Sequence, residues 1–360
     1  MITVLLTDGA FTGLIRTLRE AYSGNVRIVG ISTDSNTPHQ AIIDAFYVIS
    51  SHEDPQYIND LIQIINNEHV DIIFPIVSEG LENLMQNESL IFSKTGAKIL
   101  SSPLSALQIA NDKGLLYSFL QNNSDPALSN LAPVFCLADT KSSLMDAIQS
   151  IHRSGKKPCI KRRRGEDAEG FWVIDDQADY TAQLFYQQPN RQISSKVLDA
   201  MLLNIGQDDS IPPYMACEFL PGEEWDCDVL CMDGKLISVT TRINLSMSGG
   251  LTSVLEVRDN PNLAACCEII VSALQLSYIV CISFRADNSG RFFLLEINPR
   301  VMGNIYVSAL AGNNYVKMAI DLLHGKTVHA VPPRCGIRTS LYYDQLVIHP
   351  KIEFQPNNQN

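Results

Sequence analysis

Glu296, Asn298 and Arg300 form the densest chemical grouping in the chain, inside the run from Arg291 to Asn304. Phe292 to Ile297 reads as a strand that is apolar except for Glu296. Successive side chains on a strand point to opposite faces, so Glu296 and Asn298 share one face about 6.5–7 Å apart. A carboxylate and an amide oxygen side by side are hard ligands of the kind Mg²⁺ takes while it bridges phosphates. Pro299 ends the ladder, and the Arg300 guanidinium behind it suits phosphate oxygens. The bland alternative is a strand ending in a polar turn with Glu296 solvated. A lone Glu in an apolar strand is costly unless paired or metal-bound, which disfavours that alternative.

A second grouping is the basic loop Lys161-Arg-Arg-Arg-Gly165-Glu-Asp-Ala-Glu-Gly170 between two strands. Glycine at both ends permits positive φ and close backbone approach, so the loop can fold over phosphates. Lys161, at a strand end, is a point charge for phosphate oxygens. The acids Glu166, Asp167 and Glu169 cancel most of the field an RNA-binding patch would need. Further on, Glu218-Phe-Leu-Pro-Gly-Glu-Glu224 leaves a strand, turns and starts another. Its backbone can read an adenine edge and Glu224 can accept from ribose hydroxyls; a plain β-turn with surface acids is the other reading. Arg242 precedes the glycine-rich Met247-Ser-Gly-Gly250 and suits a carboxylate or phosphate clamp, or a surface hairpin. Lys113, in a helix expected from Leu104 to about Asn122, can reach a phosphate or simply be solvated.

Alternating strand and helix patterns across the first hundred residues imply βαβ units and a parallel sheet. Gly9, Gly13 and Asp34 sketch a nicotinamide-binding turn, but the spacing is GxxxG where the fingerprint needs GxGxxG. Ser102-Pro103 marks a boundary, after which a small α+β unit carries the basic loop. Longer strands begin at Tyr214, and a strand-rich piece follows Val331. The expected division is 1–103, 104–213, 214–330 and 331–360, with a disordered tail from Gln355.

Composition narrows the classes. The chain has 360 residues, 46% apolar and 18% charged, with net charge −12. This is an ordinary globular balance, and the negative charge makes nucleic acid an unfavourable partner. No apolar run approaches the ~20 residues of a membrane span. Nine cysteines without a CxxC pair read as reduced thiols of a cytoplasmic protein. Seven scattered histidines show no triad grouping.

Taken in order, Asn111-Asp-Lys113, Pro158-Cys-Ile-Lys161 with Gly165 and Gly170, Glu218 to Glu224, and Leu295-Glu-Ile-Asn-Pro-Arg300 resemble the ATP-grasp superfamily. Within it they resemble the carbamoyl phosphate synthase large-chain-like ligases, over about residues 1–330. The resemblance implies a mixed α/β and α+β protein: an N-terminal, biotin-carboxylase-like parallel-sheet domain, then two subdomains clamping ATP. It implies an ATP-dependent ligase forming a C–N bond, in which a small carboxylate, an amino acid or similar, becomes an acyl phosphate that an amine or other nucleophile attacks. Lys113 and Lys161 would hold the α- and β-phosphates under the loop bounded by Gly165 and Gly170. Glu218, Phe219 and Leu220 would contact adenine, and Glu224 the ribose. Glu296 and Asn298 would bind Mg²⁺, or Mn²⁺ in its place. Arg242 and Arg300 would stabilise the transferring phosphoryl or the substrate carboxylate. A homodimer through the N-terminal domain is expected from relatives. The chain departs from the pattern at Ser283, where relatives often carry Gln on the strand beside the metal pair. Asp287 compensates only if the register lets it face Glu296. Two other classes stay open: a non-catalytic ATP-binding module, motivated by Ser283 and the glycine-poor loop, and an NAD(P)-dependent oxidoreductase, motivated by Gly9, Gly13 and Asp34.

Overall fold

The apolar βα repeats of the N-terminal hundred residues build a five-stranded parallel sheet. In the computed structural model, residues 1–7, 11–166, 168–181, 191–204, 209–248 and 251–342 are described. Strands β1 (Ile2–Thr7), β2 (Val26–Ser32), β3 (Ala45–Val48), β4 (Ile72–Pro75) and β5 (Lys98–Ile99) lie in the order β3-β2-β1-β4-β5. Parallel strands covered on both faces read as continuous apolar runs, and Val4, Leu5 and Leu6 of β1 are all fully buried.

The middle sheet contains β6 (Phe135–Thr140), β7 (Pro158–Arg162), β8 (Trp172–Ile174), β9 (Gln192–Ile193) and β10 (Ser210–Glu218), ordered β6-β10-β7-β8-β9. Strand β10 therefore lies between β6 and β7, although its residues from Tyr214 read in sequence as the start of the following unit. The third sheet runs β15 (Phe292–Asn298), β14 (Tyr278–Ala286), β11 (Glu224–Met232), β12 (Lys235–Ser248), β13 (Leu251–Val257) and β16 (Arg338–Ser340). Its period-2 patterning separates two faces. Trp225, Cys227 and Val229 enter a core with Ile282, Phe284 and Leu294. Glu224, Asp226 and Asp228 take the opposite face.

Several local expectations are corrected. The helix expected over 104–122 is two helices, Leu104–Ala110 and Lys113–Gln121. Asp112 is the reason: its side chain accepts from the Gly114 and Leu115 N–H groups and starts the second helix. Helices Glu88–Thr95, Ser195–Leu203 and Tyr306–Leu310 were not legible. After Val331 the described residues hold one short strand, Arg338–Ser340. Gly9, Asp167, Gly249, Gly250 and the tail from Gln355 lie outside the described residues. Among the described residues no helix is long and apolar enough to cross a membrane.

Candidate active site

The polar face of the third sheet is the floor of the site. Register places Ser283 opposite Glu296 on one side and opposite Asp226 on the other. Asn298 Nδ2 donates to Glu296 Oε1 at 3.1 Å, and Lys113 Nζ sits 3.1 Å from Glu296 Oε2. Burial alone would raise the Glu296 pKa, but Lys113 and Asn298 outweigh it and hold the carboxyl below its ordinary value. Lys113 also donates to the Gly165 carbonyl at 3.0 Å, so the first residue of its helix ties the loop to the floor. Arg300, 5% exposed, ion-pairs with Glu166 at 2.9 Å. The other oxygen of Glu166 accepts from the Ser78 N–H at 2.8 Å. A loop carboxylate thus occupies two anion-binding donors, one from each end of the chain.

Strand β7 forms the wall. Lys161 is 7% exposed; its ammonium donates to Tyr117 OH at 2.8 Å and lies 4.7 Å from that ring's centroid. Tyr117 in turn donates to the Leu295 carbonyl at 2.9 Å, linking wall to floor. Burial opposes the Lys161 charge, yet Tyr117 and the neighbouring thiols outweigh it and keep the ammonium form. The three arginines that follow are held by acids: Arg162 by Glu169 at 2.5 Å, Arg163 by Asp112 at 2.8 Å, Arg164 by Glu82 at 2.6 Å. They pin the loop; Lys161 is the buried cation of the four. Gly170 has φ +65°, and a Cβ there would meet Tyr214 Oη at 2.4 Å, so only glycine fits.

At the strand end, Glu218 accepts from the Val134 N–H at 3.0 Å and pairs with Lys156 at 2.8 Å. The Phe219 N–H donates to the Lys157 carbonyl at 2.7 Å, so that N–H is taken by the ladder. Glu224 pairs with Arg285 at 3.1 Å. Burial, then repulsion from Asp226, pushes its pKa up. Floor, wall and strand end enclose a cavity of about 840 Å³, within the few hundred to ~1,000 Å³ typical of ligand sites. Lys113, Lys161, Gly165, Glu218, Phe219, Leu220, Glu224, Glu296 and Arg300 all line it.

Two family models match the chain: "ATP-grasp in the biosynthetic pathway with Ter operon" over residues 210–343, and "PylC-like, N-terminal domain" over residues 4–100. The chain carries an ATP-grasp domain over residues 210–343. Solved structures agree in fold at low identity. The ADP complex of N5-carboxyaminoimidazole synthetase from Staphylococcus aureus is 15% identical with TM-score 0.64, covering 91% of this chain and 78% of that one. The β,γ-ATP complex of biotin carboxylase from Campylobacter jejuni is 17% identical with TM-score 0.64, covering 92% and 72%. L-amino acid ligase from Bacillus licheniformis is 15% identical with TM-score 0.59, covering 89% and 73%. No curated protein sequence matches the chain significantly.

Within this ATP-grasp fold, two residues expected at the site are placed elsewhere. Arg242 is fully buried and sits beneath the floor, ion-paired to Asp226 at 2.6 Å and Asp228 at 3.3 Å. It lies on the polar face of β12 opposite two acids of β11, so its charge is spent inside the sheet. Asp287 does not face Glu296; it closes the β14–β15 turn, accepting from the Ser289 and Arg291 N–H groups. The residue brought beside Ser283 is Asp226, which accepts from Ser283 Oγ at 2.6 Å. Tyr117, Asp226, Arg285 and Glu166 are cavity residues that motif reading passed over. The alternation Glu224-Trp-Asp-Cys-Asp228 was a usable signal for Asp226, since it marks a polar face on a core strand. Gly13 is explained without a dinucleotide: a Cβ there would meet the Gly303 carbonyl at 2.7 Å.

Proposed function

We propose that the protein is an ATP- and Mg²⁺-dependent ligase that activates a small carboxylate, an amino acid or similar, as an acyl phosphate and joins it to an amine or other nucleophile. The observation that carries this is the convergence of Lys113, Lys161, Glu296 and Arg300, from distant parts of the chain, on one cavity, with Asn298 hydrogen-bonded to Glu296 and Arg300 behind its lining. Phosphoryl transfer asks for positioning and charge neutralisation above all, and this donor set supplies both. Lys113 and Lys161 hold the α- and β-phosphates. Phe219 and Leu220 pack against the adenine beside Glu218, whose carboxylate anchors the strand end, and Glu224 receives the ribose.

For the metal, Glu296 and Asn298 would hold Mg²⁺ through their side-chain oxygens. When bound, the ion neutralises charge on the transferring phosphoryl. Asp226, which accepts from Ser283 Oγ, is the acid that strand register brings to that side of the floor. Arg300 and Arg285 both line the cavity, so their guanidinium groups are the cations there for an anionic ligand. Glu166 then marks where that anion sits: a substrate carboxylate or phosphoryl oxygen takes over its contacts to Arg300 and Ser78. Nine free thiols suit a reducing, cytoplasmic setting.

The test is ADP release with amino acids and related carboxylates, singly and in pairs, with Mg²⁺ or Mn²⁺. Substrate-dependent release supports the ligase; ATP binding without turnover across a broad panel supports a binding module instead. Glu296→Ala should cut turnover by about 10²-fold or more while the melting temperature stays close to the parent. Near-normal turnover in that variant removes Glu296 from the metal site.

A further inference from the structure

Cys159 and Cys217 face each other across β7 and β10, in the wall of the nucleotide cavity. Their Sγ atoms are 3.4 Å apart, both thiols are buried, and Phe135, Phe171 and Phe219 pack around them. The Phe219 N–H to Lys157 carbonyl bond fixes the ladder phase, so 159 and 217, two residues along, are a hydrogen-bonded pair. Such pairs have Cα atoms about 5.5 Å apart, inside the ~4.4–6.8 Å window that a disulfide requires. Either sulfur can donate in this contact. With Cys159 as donor, its hydrogen bond and then the Lys161 ammonium favour the Cys217 thiolate against the opposing effect of burial. A resolving thiol within reach of a second thiol is one requirement of peroxide-sensing cysteines, and access for the peroxide is the other; here that access is the cavity both residues line. Cys227 and Cys267, also buried, belong to the core and do not line the cavity.

We propose that Cys159 and Cys217 form a reversible disulfide on exposure to a peroxide, and that this bond switches off nucleotide binding. The Cys217 thiolate attacks one peroxide oxygen; the O–O bond breaks, an S–O bond forms, and the departing hydroxide takes a proton to become water. Cys159 sulfur then displaces hydroxide from that sulfenic acid. The S–S bond forms, and the Cys159 proton leaves with the hydroxide as the second water. Two thiols lose two electrons and the peroxide gains them. The site is placed to matter. Cys159 lies two residues before Lys161, and its thiol touches the Glu218 carbonyl at 3.8 Å, so closing the bond shifts the phosphate cation and the strand end together.

The inference rests on the nucleotide reading of the cavity, and the experiment separates the two. ADP affinity of the full chain is measured first in dithiothreitol, then after hydrogen peroxide, with intact mass and peptide mapping on both samples. The expected result is a loss of about 2 Da, a 159–217 crosslink, and ADP binding weakened roughly tenfold or more, restored by dithiothreitol. Excess ADP should slow the crosslinking by shielding the wall. Cys159→Ser and Cys217→Ser, each compared with its own reduced sample, should show no oxidised-to-reduced difference. If the reduced protein binds no ADP, the nucleotide reading fails whatever the thiols do. If it binds ADP but peroxide gives no 159–217 crosslink, or the crosslink leaves affinity unchanged, the switch is wrong.

Discussion

Two arginines read alike in sequence have opposite fates in the structure. Arg242 neutralises Asp226 and Asp228 inside the sheet, whereas Arg300 lies at the cavity with an exchangeable partner, Glu166. Breaking a buried ion pair by removing one partner leaves an uncompensated charge. Arg242→Met should therefore destabilise the fold by about 3–5 kcal/mol. Arg300→Met should leave the unfolding free energy within about 1 kcal/mol of the parent while sharply reducing turnover. Denaturant titrations beside ADP-release rates decide this; a stable, inactive Arg242→Met protein would return Arg242 to the site. The difference was hidden because Arg242 meets acids fourteen and sixteen positions earlier, and strand register alone pairs them. Glu296 and Asn298 were legible because their relation is local: two side chains on one face of one strand.

At the scale of elements, periodicity carried most of the reading. The βα units, the long hairpins and the helix Tyr315–Leu323 follow from patterns of period 3.6 and 2. Breaks inside a helical pattern were not legible in that way. Asn111-Asp112-Lys113 falls inside the single helix expected over Leu104 to about Asn122, yet Asp112 both caps the helix that presents Lys113 and receives Arg163 from the basic loop. Burial would raise the Asp112 pKa, but the Arg163 hydrogen bonds and the helix N–H groups prevail and hold it below its ordinary value. A carboxyl depressed by folding stabilises above its unfolded pKa of about 3.9, and that stability is lost as pH falls through the lower folded value. Asp112→Asn keeps a capping oxygen but loses the charge. Near neutral pH it should cost about 1–3 kcal/mol, and the gap to the parent should close as pH drops below ~4. Melting curves at both pH values measure it; a gap independent of pH would mean that the cap alone, and not the charge, holds the helix and loop together.

Across the whole molecule, the chain path and the cores divide differently. A boundary proposed at Ser102-Pro103 follows the path, but Val4, Leu6, Ile28 and Phe74 of the N-terminal sheet share one apolar cluster with Leu230, Ile279, Val301, Val316 and Ile320. The Ser102 hydroxyl donates to the Ser277 carbonyl at 3.0 Å across the same seam. The middle sheet has a cluster of its own, built on Ala138, Ile148, Ile160, Leu198 and Ala216. Segments that share buried surface open together, and segments with separate cores can open alone. The first and third sheets should therefore behave as one body carrying Glu296 and Asn298, and the middle sheet, which carries Lys161 and the thiol pair, as the part able to move over it. Native-state hydrogen exchange measures this directly. Amides in β1 and β14 should exchange through openings whose free energies agree within about 1 kcal/mol, while β7 and β8 open at lower cost until ADP and Mg²⁺ are added. If β1 opened several kcal/mol more cheaply than β14, the N-terminal sheet would be a separate unit, and the shared cluster would be a docking contact with no role in holding the floor of the site.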